Sequence, residues 1–226
     1  MNFDFSEDQK FLANEARKFL ESQCSMAEVR AILDDESKPF SEGVWKKVVE
    51  MGWLGTSIPE EHGGLGLGML EMCVLAEEMG RVLAPVPFTS TAYFFTEALK
   101  LAGSEAQQAD LFPKIVSGEV VGCFAASEGP GNPDAGSLKT VFDGKTLSGL
   151  KVPVTDGDIA THAVVLAKDG KGASLVLVDL SAKGVTKKVL STLDPTRSHA
   201  ELAFDKVPAT LLGKSGDGAR LNDALL

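Results

Sequence analysis

Positive charge is scarce in this chain: 22 Lys and Arg stand against 32 Asp and Glu, for a formal charge of −10 over 226 residues. No surplus cation is left to coat a phosphate backbone, so nucleic acid is not an expected partner. Long apolar runs are missing too. None approaches the ~20 residues that a membrane-spanning helix needs, and the opening MNFDFSEDQK is acidic where a signal or transit peptide is basic. A cytoplasmic protein is expected. Cysteine is sparse: Cys24, Cys73 and Cys123 are isolated and without CxxC spacing. That argues against a disulfide framework or a structural zinc site and for ordinary reduced thiols. His62, His162 and His199 lie far apart, with no HExxH cluster to gather a metal.

What is present divides the chain in two. Ser6 to Gln9 reads as a capping box, and Phe11, Leu12, Ala16, Phe19 and Leu20 fall on one face of a helix running to about Gln23. After Asp34, Asp35 and a Ser-Lys-Pro break, Ser41 caps a second helix whose Val44, Trp45, Val48 and Val49 point inward, with Gly52 as its stop. Trp45 and Trp53 read as core. The Gly-dense stretch Gly52 to Gly68 has neither GxGxxG after a strand nor a P-loop Lys-Ser or Lys-Thr pair, which excludes a nucleotide loop of either kind. Met69 to Leu83 returns to helical spacing through Leu70, Cys73, Val74, Ala76 and Met79, with Glu77, Glu78 and Arg81 expected on a solvated face. A further helix spans about Thr91 to Leu101 and ends at Gly103. Ser104 to Gln107 opens another, which Gly118 closes.

The pattern changes at Val120 to Asp134, VVGCFAASEGPGNPD, a strand emptying into a loop. On composition alone it is an ordinary strand followed by a surface turn. Short Val, Leu and Thr-rich runs then alternate with Gly and Asp turns. Candidate strands are Val120 to Ala126, Leu138 to Asp143, Thr146 to Val152, His162 to Ala167, Ser174 to Asp179, Thr186 to Val189 and Ala200 to Phe204. With no helix between neighbours, antiparallel hairpins or Greek-key crossings in a barrel or sandwich are expected. The fold class is therefore α+β: a helical domain over residues 1–118, a β domain over 119–212, and the start of a further helical domain over 213–226, where Leu221, Leu225 and Leu226 recur at helical spacing.

Several segments together resemble the FAD-dependent acyl-CoA dehydrogenases. They are FSEDQKFLANEARKFL, GWLGTSIPEEHGGLGLG, EEMGRVLAPVPF, GSEAQQADLFPKIVSGE, the SEGPGNPD loop, GLKVPVTDGDIATHAVVLA and LAFDKVPATLLGKSGDG, in that order and across essentially the whole chain. LDPTR, Leu193 to Arg197, is similar to a phrase common in the branch that includes sterol side-chain and dicarboxyl-CoA enzymes. The resemblance implies three domains, of which the sequence holds the helical one and the β one and ends where a four-helix domain starts. It implies that the Glu that abstracts the acyl α-proton lies in that third domain, so no residue here is given a catalytic role. FAD is the implied cofactor. Phe124, Ala125, Ala126 and Ser127, with Pro133 further along the loop, are implied to run beside the isoalloxazine. Pro153, Val154 and Thr155 are implied on its other side, with the Thr155 hydroxyl near N5. The implied partners are an acyl-CoA substrate, an electron-transfer flavoprotein-type acceptor, and further subunits in a homo- or hetero-oligomer, dimer or tetramer.

Two positions depart from the family pattern. Pro133 stands where a phosphate-contacting Ser is usual and offers neither hydroxyl nor N–H. Pro153 stands where an aromatic ring, often Trp, covers the flavin. The reading that follows is an acyl-CoA dehydrogenase, or a subunit of one, making a trans-2-enoyl-CoA. The alternatives are a non-catalytic partner subunit kept for assembly and acyl-CoA binding, and the same scaffold turned to another flavin reaction such as oxidase or nitro-compound chemistry.

Overall fold

The structure, a computed structural model, describes residues 4–35, 38–131 and 136–225. Asn132, Pro133 and Asp134 of the loop, Ser37 of the break and Leu226 lie outside the described residues.

Helix α1 spans Glu7–Gln23, and its capping box forms as read: Ser6 Oγ accepts from the Gln9 N–H at 3.2 Å, and Gln9 Oε1 accepts from the Ser6 N–H at 2.9 Å. Helix α3 (Glu42–Glu50) starts at Ser41 as read, and both Trp45 and Trp53 are buried. Between them lies a helix that the sequence reading passed over, α2 (Met26–Leu33), capped by Ser25, whose hydroxyl accepts from the Glu28 N–H at 3.2 Å. At eight residues it is too short to show a clear period, and Ser25 followed by Glu28 was its only local signal. Two short 3-10 turns, Trp53–Gly55 and Glu60–His62, carry the Gly-rich stretch to α4 (Met69–Arg81).

Helix α4 buries Val74 and Met79 as expected, but its buried face is rotated from the one read. Leu70 and Cys73 are exposed, whereas Met72, Leu75 and Glu78 are buried. Glu78, placed on a solvated face by its charge, accepts from Arg17 Nε at 2.9 Å and Nη2 at 2.6 Å and from Arg81 Nε at 3.2 Å. The ion pair to α1 makes its burial tolerable. The next helix begins as a π-helical segment, Thr89–Phe95, and continues as α5 (Thr96–Ala102). Thr96 Oγ1 donates to the Thr91 carbonyl at 2.8 Å, giving that carbonyl a side-chain partner within the widened turn. Helix α6 (Glu105–Val116) opens with the expected Ser104–Gln107 box.

The strands are β1 (Gly122–Ala125), β2 (Val141–Phe142), β3 (Thr146–Thr155), β4 (His162–Asp169), β5 (Gly172–Asp179), β6 (Val185–Val189) and β7 (His199–Leu212), followed by α7 (Gly218–Leu225). Five of them close on themselves, with β4, β5, β7, β3 and β2 each pairing to the next and β2 returning to β4; β1 adds beside β4 and β6 beside β7. Pairing is not antiparallel throughout. β1 runs parallel to β4, Gly122 opposite His162 through Ala125 opposite Val165. Residues 126–161 separate these strands, long enough for a crossover built from β2 and β3 rather than a helix. β3 and β7 outrun the segments read as strands, because both continue past positions that interrupt a simple alternation.

Two apolar clusters result. One fills the barrel with Cys123, Ala125, Val154, Val165 and Leu202 among its members. The other joins the helices to the outer face of the sheet, from Leu20, Trp53 and Phe95 to Val164, Leu166 and Leu175.

Candidate functional site

Period-two alternation decides what β1 presents. Cys123 and Ala125 point into the barrel, so Phe124 and Ala126 face the helices. On β3 the register shifts between Lys151 and Val154, where the Val152–Pro153 bond is cis. Pro153 has no N–H for the β7 ladder. Past the shift Val154 is buried in the barrel while Pro153 is exposed and Thr155 half-buried.

Phe124, Ala126, Ser127, Pro153 and Thr155 meet around one cavity of about 550 Å³, within the ~300–1,000 Å³ typical of small-molecule sites. Five of the eight residues named from the sequence are thus brought together. The side chains of Ala125 and Val154 are not: both lie in the barrel core. Pro133 is outside the described residues.

Residues not foreseen complete the wall. Phe94 of the π segment lies nearly parallel to Phe124, ring centroids 6.2 Å apart and planes 14° off. Thr89 and Ser90 come from the same segment, Asp194 and Arg197 from the β6–β7 connection, and His199 from the first position of β7. Asp156, buried and in a left-handed conformation at φ 56°, ties these pieces together. It accepts from Ser90 Oγ at 2.5 Å and pairs with the Arg197 guanidinium, while its own N–H donates to the Ser198 carbonyl at 2.9 Å. The Asp194 carboxylate accepts from the Thr196 hydroxyl at 2.6 Å and N–H at 3.0 Å. Those bonds hold it below its ordinary range and turn the chain so that Arg197 meets the cavity. The LDPTR phrase was noticed in the sequence without a site role. Ser90 and Asp156, 66 residues apart, left no signal at all.

Behind the wall sits a second ion pair. Lys151, wholly buried on β3, donates from Nζ to the Ala126 carbonyl at 3.0 Å and to Glu128 Oε1 at 2.8 Å. Glu128 also accepts from the N–H groups of Lys139 at 2.7 Å and Thr140 at 3.0 Å. Burial pushes the Glu128 carboxyl up, but these hydrogen bonds outweigh it and bring it down to about 2. The Ser127 hydroxyl donates to the Gly129 carbonyl at 2.9 Å, so the loop bends over its own first residue. Parallel aromatic rings beside hydroxyls, backbone and a proline face suit a flat heteroaromatic group with one polar edge.

A family model described as the acyl-CoA dehydrogenase N-terminal domain matches residues 6–119. The chain belongs to the acyl-CoA dehydrogenase family. Acryloyl-CoA reductase (NADH) of Anaerotignum propionicum is 32% identical over 98% of this chain and 60% of its own length. Among solved structures, the Tcur3481-Tcur3483 steroid ACAD matches with a TM-score of 0.85 and 32% identity over 97% of this chain and 60% of that one. The ChsE4-ChsE5 complex of Mycobacterium tuberculosis matches with a TM-score of 0.86 and 25% identity over 100% of this chain and 61% of that one. The chain therefore spans about six-tenths of the length of these relatives. Among the described residues no helix is long and apolar enough to cross a membrane.

Proposed function

We propose that the chain supplies the flavin- and acyl-CoA-binding part of an acyl-CoA dehydrogenase, a cytoplasmic enzyme that removes the α and β hydrogens of an acyl-CoA thioester to give a trans-2-enoyl-CoA. Residues 1–118 and 119–212 act as its helical and β domains, with 213–226 leading into the next. The observation that carries the reading is the gathering of Phe124, Ala126, Ser127, Pro153 and Thr155 around one cavity. FAD bound there would accept the hydride removed from the substrate. The chain's own residues hold and orient it: Phe124 and Pro153 offer apolar faces, and the Ser127 N–H, the Thr155 hydroxyl and the loop backbone offer donors to the edge where negative charge collects, without reorganising. The proton-abstracting base comes from a part of the enzyme outside these residues, and an electron-transfer flavoprotein-type acceptor reoxidises the flavin.

Pro153 favours a second reading, a partner subunit in a hetero-oligomer whose own cavity holds the fold but not the flavin. Its pyrrolidine covers less of a tricyclic ring than an aromatic side chain does. That the similar Tcur3481-Tcur3483 and ChsE4-ChsE5 proteins each carry two names supports a heteromeric dimer or tetramer here. The test is to purify the protein alone and co-expressed with the products of neighbouring genes, and to record flavin absorbance and its bleaching by acyl-CoA. The first reading predicts a yellow protein, bleached by acyl-CoA when the part that carries the base is present; flavin found only in the partner's site supports the second. Absence of flavin and of acyl-CoA affinity in every preparation defeats both.

A further inference from the structure

We infer that Lys151 is a positioning residue that fixes the Ala126–Ser127 peptide at the cavity edge and biases that edge toward negative charge, so that a flavin seated there is easier to reduce. The inference rests on the flavin reading above. An ammonium with none of its side chain exposed is costly, and apolar replacements of buried ion pairs are often neutral or stabilising. Stability alone therefore gives little reason for a lysine here.

Its contacts give another. Nζ reaches the Ala126 carbonyl at 3.0 Å, and that carbonyl shares one amide with the Ser127 N–H. In a trans peptide the two point to opposite sides, and hydrogen bonds along such a chain strengthen one another. A cation on the carbonyl makes the N–H a stronger donor. Ala126 and Ser127 both line the cavity. The counter-charge is drawn elsewhere: Glu128 gives Oε1 to Lys151 and Thr140 and Oε2 to the Lys139 N–H, so part of its charge is spent on the far side of the loop.

The test compares flavin-loaded wild type, K151R, K151M, E128Q and E128Q/K151M, with the partner subunit where loading needs it. Reduction potential, visible spectrum and flavin affinity are measured at mildly acid pH, where a lysine whose pKa burial has lowered keeps its proton. K151M is expected to lose about tenfold in preference for reduced flavin, about 30 mV for a two-electron couple. K151R should stay close to wild type. E128Q should shift the other way, and E128Q/K151M should fall below E128Q, a comparison that holds even if K151M alone does not fold. A merely structural staple predicts that K151M and E128Q move the potential in the same direction or not at all; either result in loaded protein overturns the inference and leaves the proposed function standing. A wild type that takes no flavin, alone or with its partner, overturns both.

Discussion

Glu128 shows how one side chain couples the cavity to pH. Its carboxyl lies at about 2 in the fold against an ordinary 4.5. A depressed folded pKa means that its contribution is present above the ordinary value and is lost as pH falls from about 4.5 towards about 2. E128Q should therefore be less stable than wild type at neutral pH by roughly 1–3 kcal/mol, with the gap closing at the acid end. Urea midpoints across that range check it, and a gap independent of pH would contradict the assignment. Glu78 has a comparable role between helices, held below its ordinary range by Arg17. Removing it by E78A leaves two guanidinium groups without their shared acceptor. A loss of about 1–3 kcal/mol is expected, read from denaturant unfolding, whereas a neutral result would mean solvent meets the half-exposed Arg17 equally well.

At the scale of elements, the site depends on how β1 meets the π segment. Thr91 Oγ1 stands 3.2 Å from the Gly122 N–H and 3.4 Å from its carbonyl, and a Cβ on Gly122 would come within 2.1 Å of the Phe95 ring. Since Phe95 is fully buried, the ring has nowhere to go. G122A should cost at least about 1–3 kcal/mol and spread β1 from the segment that supplies Phe94, weakening ligand affinity at the cavity more than S104A does. The S104A change removes only the α6 cap and should cost about 0.5–2 kcal/mol with affinity retained. Thermal unfolding and flavin titration of the two variants separate the effects.

The whole molecule unfolds as its shared core dictates. The helices and the outer face of the barrel bury one continuous apolar cluster, from Leu20 and Phe95 to Val164 and Leu212. Both tryptophans lie in the helical half, so fluorescence reports the helices while the β component of circular dichroism reports the barrel. Coincident midpoints are expected by the two probes; separated midpoints would show that the halves are independent.

Much of this was legible along the chain. Ser6, Ser41 and Ser104 announced their helices because a cap and the N–H it binds lie within three residues. Alternating Val and Leu runs announced the strands, and the family phrases pointed to Phe124, Ser127 and Thr155, which do share a cavity. What only the tertiary structure decided spans greater distances: Glu78 buried by Arg17, 61 residues away; the parallel pairing of β1 with β4; and Arg197 brought to Ser90 across 107 residues. Local propensity carries no record of such pairs. Burial of a charge depends on which partner the fold delivers, and strand direction depends on where the intervening chain crosses.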